Sequence, residues 1–276
     1  MMKPIFVTVL ALLASGLPGV GAAQSGASGL RWHSSLSTSQ SSGDYGTLLS
    51  SRVRDTTLGL SVEYDEWEIG LKLPYLEQTS QVPSVGGVRA FRIGPKGRVL
   101  LNRRFLVSQP LLVEQTVRGL GDVTTTVTRS IVPGARDGVS WDLGAQVKLP
   151  VSGSDKDLST GQADYSLLAG ATKPFGDFSL GANIAYTIVG RPFDETYRNT
   201  WAAGFDASWR FMPASRLGLS FGLETSPEPG GVAARSVSLS YSYLFNSGLR
   251  VQASLTRGLS DGAPDRSGGL AVSYGF

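Results

Sequence analysis

The sequence contains no cysteine, which excludes disulfides, thiolate metal sites and cysteine nucleophiles. Histidine occurs once, at His33, which argues against a histidine-built metal centre. No metal and no cofactor is expected. Charge of one sign is not in excess. There are 25 Lys and Arg against 22 Asp and Glu, and without Lys3 the balance is 24 to 22. A near-neutral chain lacks the basic footprint of a nucleic-acid binder, so no nucleic-acid partner is expected. Long apolar runs are missing as well. The exception is Ile5 to Leu17, shorter than the roughly 20 residues that a spanning helix needs. It follows Lys3 and precedes Gly21 and Ala23, small residues at signal-peptidase spacing. This predicts a secretory signal peptide over 1–23 and a mature domain over 24–276. With no second run, a membrane role is left to alternating strands, because only helices and closed barrels satisfy backbone polar groups in lipid.

Alternation is what the rest of the chain contains. In "VSWDLGAQVKLP", Val139, Trp141, Leu143, Ala145, Val147 and Leu149 share one face, and Ser140, Asp142, Gly144, Gln146 and Lys148 share the other. Period 2 is the signature of a strand. The same pattern runs through "WEIGLKLPY", "FSLGANIAY", "WAAGFDASWRF", "LGLSFGL", "VSLSYSYLF" and "LRVQASL". Aromatics cluster at the ends of these stripes, as in Trp67 and Tyr75, Phe178 and Tyr186, and Trp201 and Phe211. Bilayer interfaces favour aromatics at those heights. Connections alternate between tight turns ("YDEW", "FGDF", "MPAS", "FNSG") and longer polar loops. Twelve strands are expected, near 29–38, 46–64, 67–75, 119–131, 138–149, 163–174, 177–188, 200–211, 215–225, 235–245, 248–258 and 267–276. The predicted fold is all-β, a transmembrane antiparallel up-and-down β-barrel of about 12 strands, with its short turns on the periplasmic side. Arg52 and Arg54 share the parity of Leu58 and Leu60. That predicts a bulge near Asp55 or an extension above the membrane. In the final stripe, Leu270, Val272, Tyr274 and Phe276 alternate with small or polar residues. The stripe is expected to face lipid, to close the sheet against the first strand, and to act as the assembly signal for the barrel-assembly machinery.

Several stretches together, "SSGDYG" at 41–46, "VEYDEWEIGLKLPYL" at 62–76, "RGLGDV" at 118–123, "VKLPVSGSDKDLSTGQADYSLL" at 147–168 and the terminal "SYGF", carry a resemblance. The chain resembles the outer-membrane β-barrel transporter family of the phenol-degradation MetA-pathway type. The likeness runs over most of the mature chain, and the strongly basic segment before "GLGDV" departs from it. The resemblance implies a location in the bacterial outer membrane, contact with outer-membrane lipid and lipopolysaccharide, and a channel role without catalytic residues.

The lumen-facing parity collects the acids Glu63, Glu68, Asp142, Asp164, Asp206 and Glu224. It also collects the bases Lys72, Lys148, Arg210 and Arg250. Such charges either pair to fill a modest barrel or line a water-filled pore and set its ion preference. One long connection, 76–118, holds Arg89, Arg92, Lys96, Arg98, Arg103 and Arg104 with no acid between the first and last. Either it is an external loop meeting acidic lipopolysaccharide, or it folds inward as a positive constriction. His33 beside Ser34 and Ser35 raises a hydrolase reading. Neighbours on a strand point to opposite faces, so His33 and Ser34 cannot form a catalytic pair locally. The expected function is passive diffusion of small solutes, organic or anionic, through a narrow lumen. The alternatives are a structural or adhesive barrel without an open pore, and an outer-membrane lipid-modifying enzyme.

Overall fold

The computed structural model describes residues 29–45, 50–85, 88–89, 91–93, 99–101, 111–131, 138–151, 158–191 and 196–276. The expected signal peptide lies outside them. The described elements are all strands: β1 (Arg31–Gly43), β2 (Ser51–Tyr64), β3 (Trp67–Val85), the short β4 (Val88–Arg89), β5 (Phe91–Ile93) and β6 (Val99–Leu101), then β7 (Leu111–Leu120), β8 (Val123–Ile131), β9 (Ser140–Leu149), β10 (Asp164–Phe175), β11 (Phe178–Ile188), β12 (Thr200–Met212), β13 (Ser215–Glu224), β14 (Ala234–Leu244), β15 (Leu249–Gly258) and β16 (Arg266–Gly275). The barrel strands pair antiparallel with their neighbours round the ring, β7 and β8 together occupy one place beside β3, and β5 and β6 form a separate two-stranded sheet. That gives twelve staves. The ring closes where β1 meets β16, from His33 opposite Gly275 to Ser42 opposite Arg266. Trp32 and Phe276 extend the seam by exchanging both backbone hydrogen bonds at 2.9 Å. Closure leaves no open edge in the ring itself; above it, β7 pairs with β3 alone among the described strands.

Alternation decides which side chains face out. Leu255 (69 % exposed), Leu167 (67 %) and Phe205 (62 %) project from the outer surface with Trp141, Leu143, Leu180, Ile184, Leu219, Leu239 and Leu270. Water would penalise a continuous apolar belt of this extent, and lipid favours it. Aromatics border the belt. At the short-turn end Phe178 stacks on Trp209 at 5.7 Å, Trp209 touches Phe211 at 5.6 Å, and Phe211 meets Tyr241 at 6.3 Å. At the other end Tyr186 packs on Trp201 at 4.6 Å. Trp201 and Trp209 are eight residues apart, roughly 26 Å along a strand and about 20 Å in height after tilting by about 40°. The belt therefore fits a thin bilayer.

Three boundaries differ from the sequence expectation. The register of β2 is continuous past Asp55 on both sides, from Gly43 opposite Ser51 to Arg31 opposite Glu63 and from Ser51 opposite Ser80 to Tyr64 opposite Trp67. No bulge occurs there. Arg52 and Arg54 face outward because the hairpin rises above the apolar belt. Next, β3 continues ten residues past Tyr75, paired with β7 from Leu120 back to Leu111. The segment 76–118 thus begins and ends as strand. Finally, the bulge sits between β7 and β8. Tyr75 faces Leu120, whereas Lys72 faces Thr124, so one extra residue lies opposite Leu73 and Pro74. Pro74 has no N–H to give the ladder. Gly121 donates to the Pro74 carbonyl instead, at 2.8 Å. A Cβ on Gly121 would lie 2.9 Å from Leu76 Cδ1 and 3.1 Å from Pro74 Cγ, so glycine is what fits. The extra residue flips parity. Leu120 and Arg118 point outward on β7, while Thr124 and Thr126 point inward on β8. Asp122 is thereby aimed into the barrel.

Candidate functional site: the barrel lumen

Inward side chains become more buried toward the long-loop end. On β11, Ser179, Gly181 and Asn183 are half-buried, whereas Ala185, Thr187 and Val189 are buried. On β9 the same change separates Asp142 from Gln146 and Lys148. Water therefore reaches the short-turn half of the lumen, and chain fills the other end. The filling comes from the connections: Leu158, Ser159 and Thr160, then Tyr197, Pro227 and Ala263, all buried.

A charged node holds this cap. Lys148 faces Asp164 across the β9–β10 pair, and its Nζ lies 2.6 Å from Asp164 Oδ2 and 3.5 Å from Asp122 Oδ2. The three side chains are 6–8 % exposed. Asp164 Oδ1 accepts the backbone N–H of Gly190 at 2.8 Å. Asp122 accepts the hydroxyl of Ser159. One node thus ties β8, β9, β10, the connection before β10 and the connection after β11. Glu224 is also buried at this end. The sequence analysis named Lys148 and Asp164 separately and left Asp122 out. Asp122 was missed because its inward aim depends on the bulge; the available signal was a glycine opposite a proline.

Tyr45 completes the cap beyond β1, at 5 % exposure. Burial pushes its phenol up to about 12, against a hydrogen bond with Ser41 and with help from the nearby Asp265 carboxylate. The folded value exceeds the ordinary one, so the folded chain holds this proton more tightly than the unfolded chain. Stability should be unaffected below pH 10 and should fall between pH 10 and about 12, by about 3 kcal/mol in all. Unfolding monitored against pH should show that loss in the parent chain and lack it in Tyr45→Phe. Equal slopes would contradict the assignment.

The short-turn half is lined differently. Lys72 on β3 lies in the field of Glu68 and Asp55, and Asp55 accepts the Thr57 hydroxyl at 2.6 Å. Asp142 accepts from Ser130 at 2.6 Å. Asp206 lies flat across Gly181, whose Cβ would come within 2.5 Å of the carboxylate, and Asn183 lies across Gly204 in the same way. Glycine opposite a polar residue keeps the wall thin, which accounts for part of the high glycine content. Arg210 sits at the rim, bonded through Nη2 at 2.9 Å and Nε at 3.1 Å to Asp177 of the β10–β11 turn. Arg250 is inward on β15, beside Arg216 of β13. The sequence reading omitted Arg216, which immediately precedes the first apolar residue of its stripe.

The remaining candidates divide. The backbone of Arg89 pairs with Ser84 at the far tip of β3, and Arg92 lies in β5. Lys96, Arg98, Arg103 and Arg104 lie outside the described residues. Leu270, Val272, Tyr274 and Phe276 all face outward, with Tyr274 and Phe276 stacked at 6.1 Å. His33 Nε2 lies 3.4 Å from Glu63 Oε2 at the short-turn rim. Among the described residues, no hydrogen bond joins His33 to a serine, and no three acidic or histidine side chains converge as a metal set.

A closed antiparallel barrel with an apolar outer belt, aromatic borders and a polar interior is a transmembrane β-barrel of the outer-membrane type. The chain belongs to the family described as "Putative MetA-pathway of phenol degradation", whose model matches residues 91–276. No curated protein matches it in sequence. Among solved structures it is similar to the COG4313 outer membrane channel from Pseudomonas putida F1, with a TM-score of 0.59 and 15 % identity over 91 % of this chain and 96 % of that one. It is also similar to the NanC porin, with a TM-score of 0.51 and 10 % identity over 89 % and 99 % of the two chains. At these identities the likeness is one of fold. The stretches "RGLGDV" and "VKLPVSGSDKDLSTGQADYSLL", far apart in the chain, meet in space at the node of Asp122, Lys148, Ser159 and Asp164.

Proposed function

We propose that the protein is a passive channel of the bacterial outer membrane for small solutes, organic or anionic, oriented with its short turns in the periplasm. The observation that carries this reading is the hydrated, charge-lined lumen inside a sealed barrel. A barrel filled only for stability would bury its inward charges in pairs along its whole length, whereas here the buried ion pairs, Lys148 with Asp164 and Asp122, lie at the long-loop end. That cap makes the pathway narrow. It also gives a second reading its support, a structural or adhesive barrel without an open pore. No catalytic role is assigned, because His33 is engaged with Glu63 and no hydrogen bond joins it to a serine among the described residues. Liposomes carrying the folded barrel should swell in small neutral and anionic solutes. Swelling no faster than in empty liposomes would favour the filled barrel.

The basic segment is proposed to contribute to ion preference. Replacing Arg103 and Arg104 with Ser should move the reversal potential toward cations, more at low salt than at 1 M, where screening shortens to about 3 Å. An unchanged reversal potential would leave the segment outside the pathway, meeting lipopolysaccharide from above.

A further inference from the structure

Charge in the periplasmic half of the lumen is distributed by wall. Going round the twelve staves, β13 is six steps from β3 in either direction, so the two face each other. Near the periplasmic rim the β2–β3 wall carries Glu63 and Glu68, each one residue from its strand's end, and both have cations at hand: Arg31 of β1 holds Glu63 at 2.7 Å, and Lys72 lies in the field of Glu68. At the same height the opposite wall carries Arg216 and Arg250, each the second residue of its strand. β14 alone separates Arg216 of β13 from Arg250 of β15, and Arg210 stands on the other flank, on β12. Arg210 is held by Asp177. Among the described residues neither Arg216 nor Arg250 forms an ion pair. Higher on that wall, Asp206 of β12 lies across Gly181 and forms no ion pair with either arginine.

The acids opposite cannot neutralise this pair. A ring of twelve strands about 4.8 Å apart and tilted by about 40° is roughly 24 Å across, far beyond the 4 Å of an ion pair. Two neighbouring guanidinium groups without a carboxylate repel each other, and a mobile anion relieves the repulsion. Between them the wall offers neutral donors: Ser242 faces Arg216 across one pair, Gln252 faces Ser242, and Ser273 faces Arg250. Guanidinium presents a planar fork that matches a carboxylate in two bonds.

We propose that Arg216 and Arg250 form an anion-binding station at the periplasmic mouth, taking small carboxylates that pass through the barrel. The proposal rests on the channel reading, and it names the solute class that such a channel would favour. Anions run along the β13–β15 wall, whose arginines lack a carboxylate, while the acids of the β2–β3 wall are matched by Arg31 and Lys72, so selectivity comes from the wall as well as from any loop.

The test uses the full folded chain in planar bilayers and in detergent, with benzoate as the probe. In a potassium chloride gradient the parent chain should prefer anions, and benzoate should slow the chloride current. Arg216→Ser with Arg250→Ser should weaken both effects at least about fivefold, the factor that one unit charge at about 4 Å is worth in water. The double Lys variant should recover much of the anion preference but less of the benzoate effect, because lysine lacks the fork. Glu68→Gln should move selectivity the other way and leave benzoate binding unchanged. Unchanged reversal potential and benzoate block in the double Ser variant would overturn the proposal. Benzoate binding to the detergent-folded barrel by calorimetry separates the two claims. Binding lost in the double Ser variant without any conductance in the parent would sustain the station and sink the channel. Conductance in the parent with no arginine-dependent benzoate binding would do the reverse.

Discussion

Replacing Lys148 with Met is expected to lower the stability of the folded barrel by about 3–5 kcal/mol. That is the cost of leaving buried charges without their partner. Asp122 and Asp164 lie 3.5 Å and 2.6 Å from the ammonium, and all three side chains are nearly fully buried. Without the cation, two carboxylates share a dry site and repel, and one of them must take a proton. Asp164→Asn should cost less, because Lys148 keeps Asp122 and the asparagine still accepts from Gly190. The triple variant Lys148→Met, Asp122→Asn, Asp164→Asn should be more stable than Lys148→Met alone, because no uncompensated charge remains. The temperature at which heat-modifiable migration is lost would rank the four chains. An unchanged temperature in Lys148→Met would mean that the cap does not depend on the node.

The second large effect is expected in cells. Phe276 exchanges two backbone hydrogen bonds with Trp32, and its ring stacks on Tyr274. Phe276→Ser keeps the backbone bonds, which are worth about 1 kcal/mol each, and removes only an exposed ring. Equilibrium stability in detergent should therefore fall little. If the stripe Leu270, Val272, Tyr274 and Phe276 is what the assembly machinery reads, the amount of folded barrel in membranes should nevertheless fall severalfold. Parallel measurements in detergent refolding and in cells distinguish the two causes. Equal yields in cells would show that the stripe serves closure alone.

The number of staves and the side on which each residue lies were legible because most strands are about ten residues long and carry large apolar side chains on one face only. The contrast fades above Tyr75. Glu77 and Thr79 are polar on the outer face, and Gln78 and Ser80 are polar on the inner. Both faces of that extension meet water or a polar interior, so the period vanishes although the strand continues to Val85. The bulge escaped for a related reason. One inserted residue shifts no composition, only parity, and the outer face of β7 carries Glu114, Thr116 and Arg118, so no apolar stripe marks the change of side. The pairing of Lys148 with Asp164 was hidden because a short strand offset decides which inward residues meet. Arg216 was hidden by its place at the strand's edge. What alternation shows is which side a residue faces; what it leaves out is which partner waits there.

The most direct measurement is conductance of the purified, folded chain in a planar bilayer. A hydrated lumen narrowed by the extracellular cap predicts discrete small current steps on each insertion, with an anion-favouring reversal potential in a salt gradient. Repeated insertions of heat-modifiable, fully folded barrel that carry no current would contradict the account and establish a barrel filled from end to end.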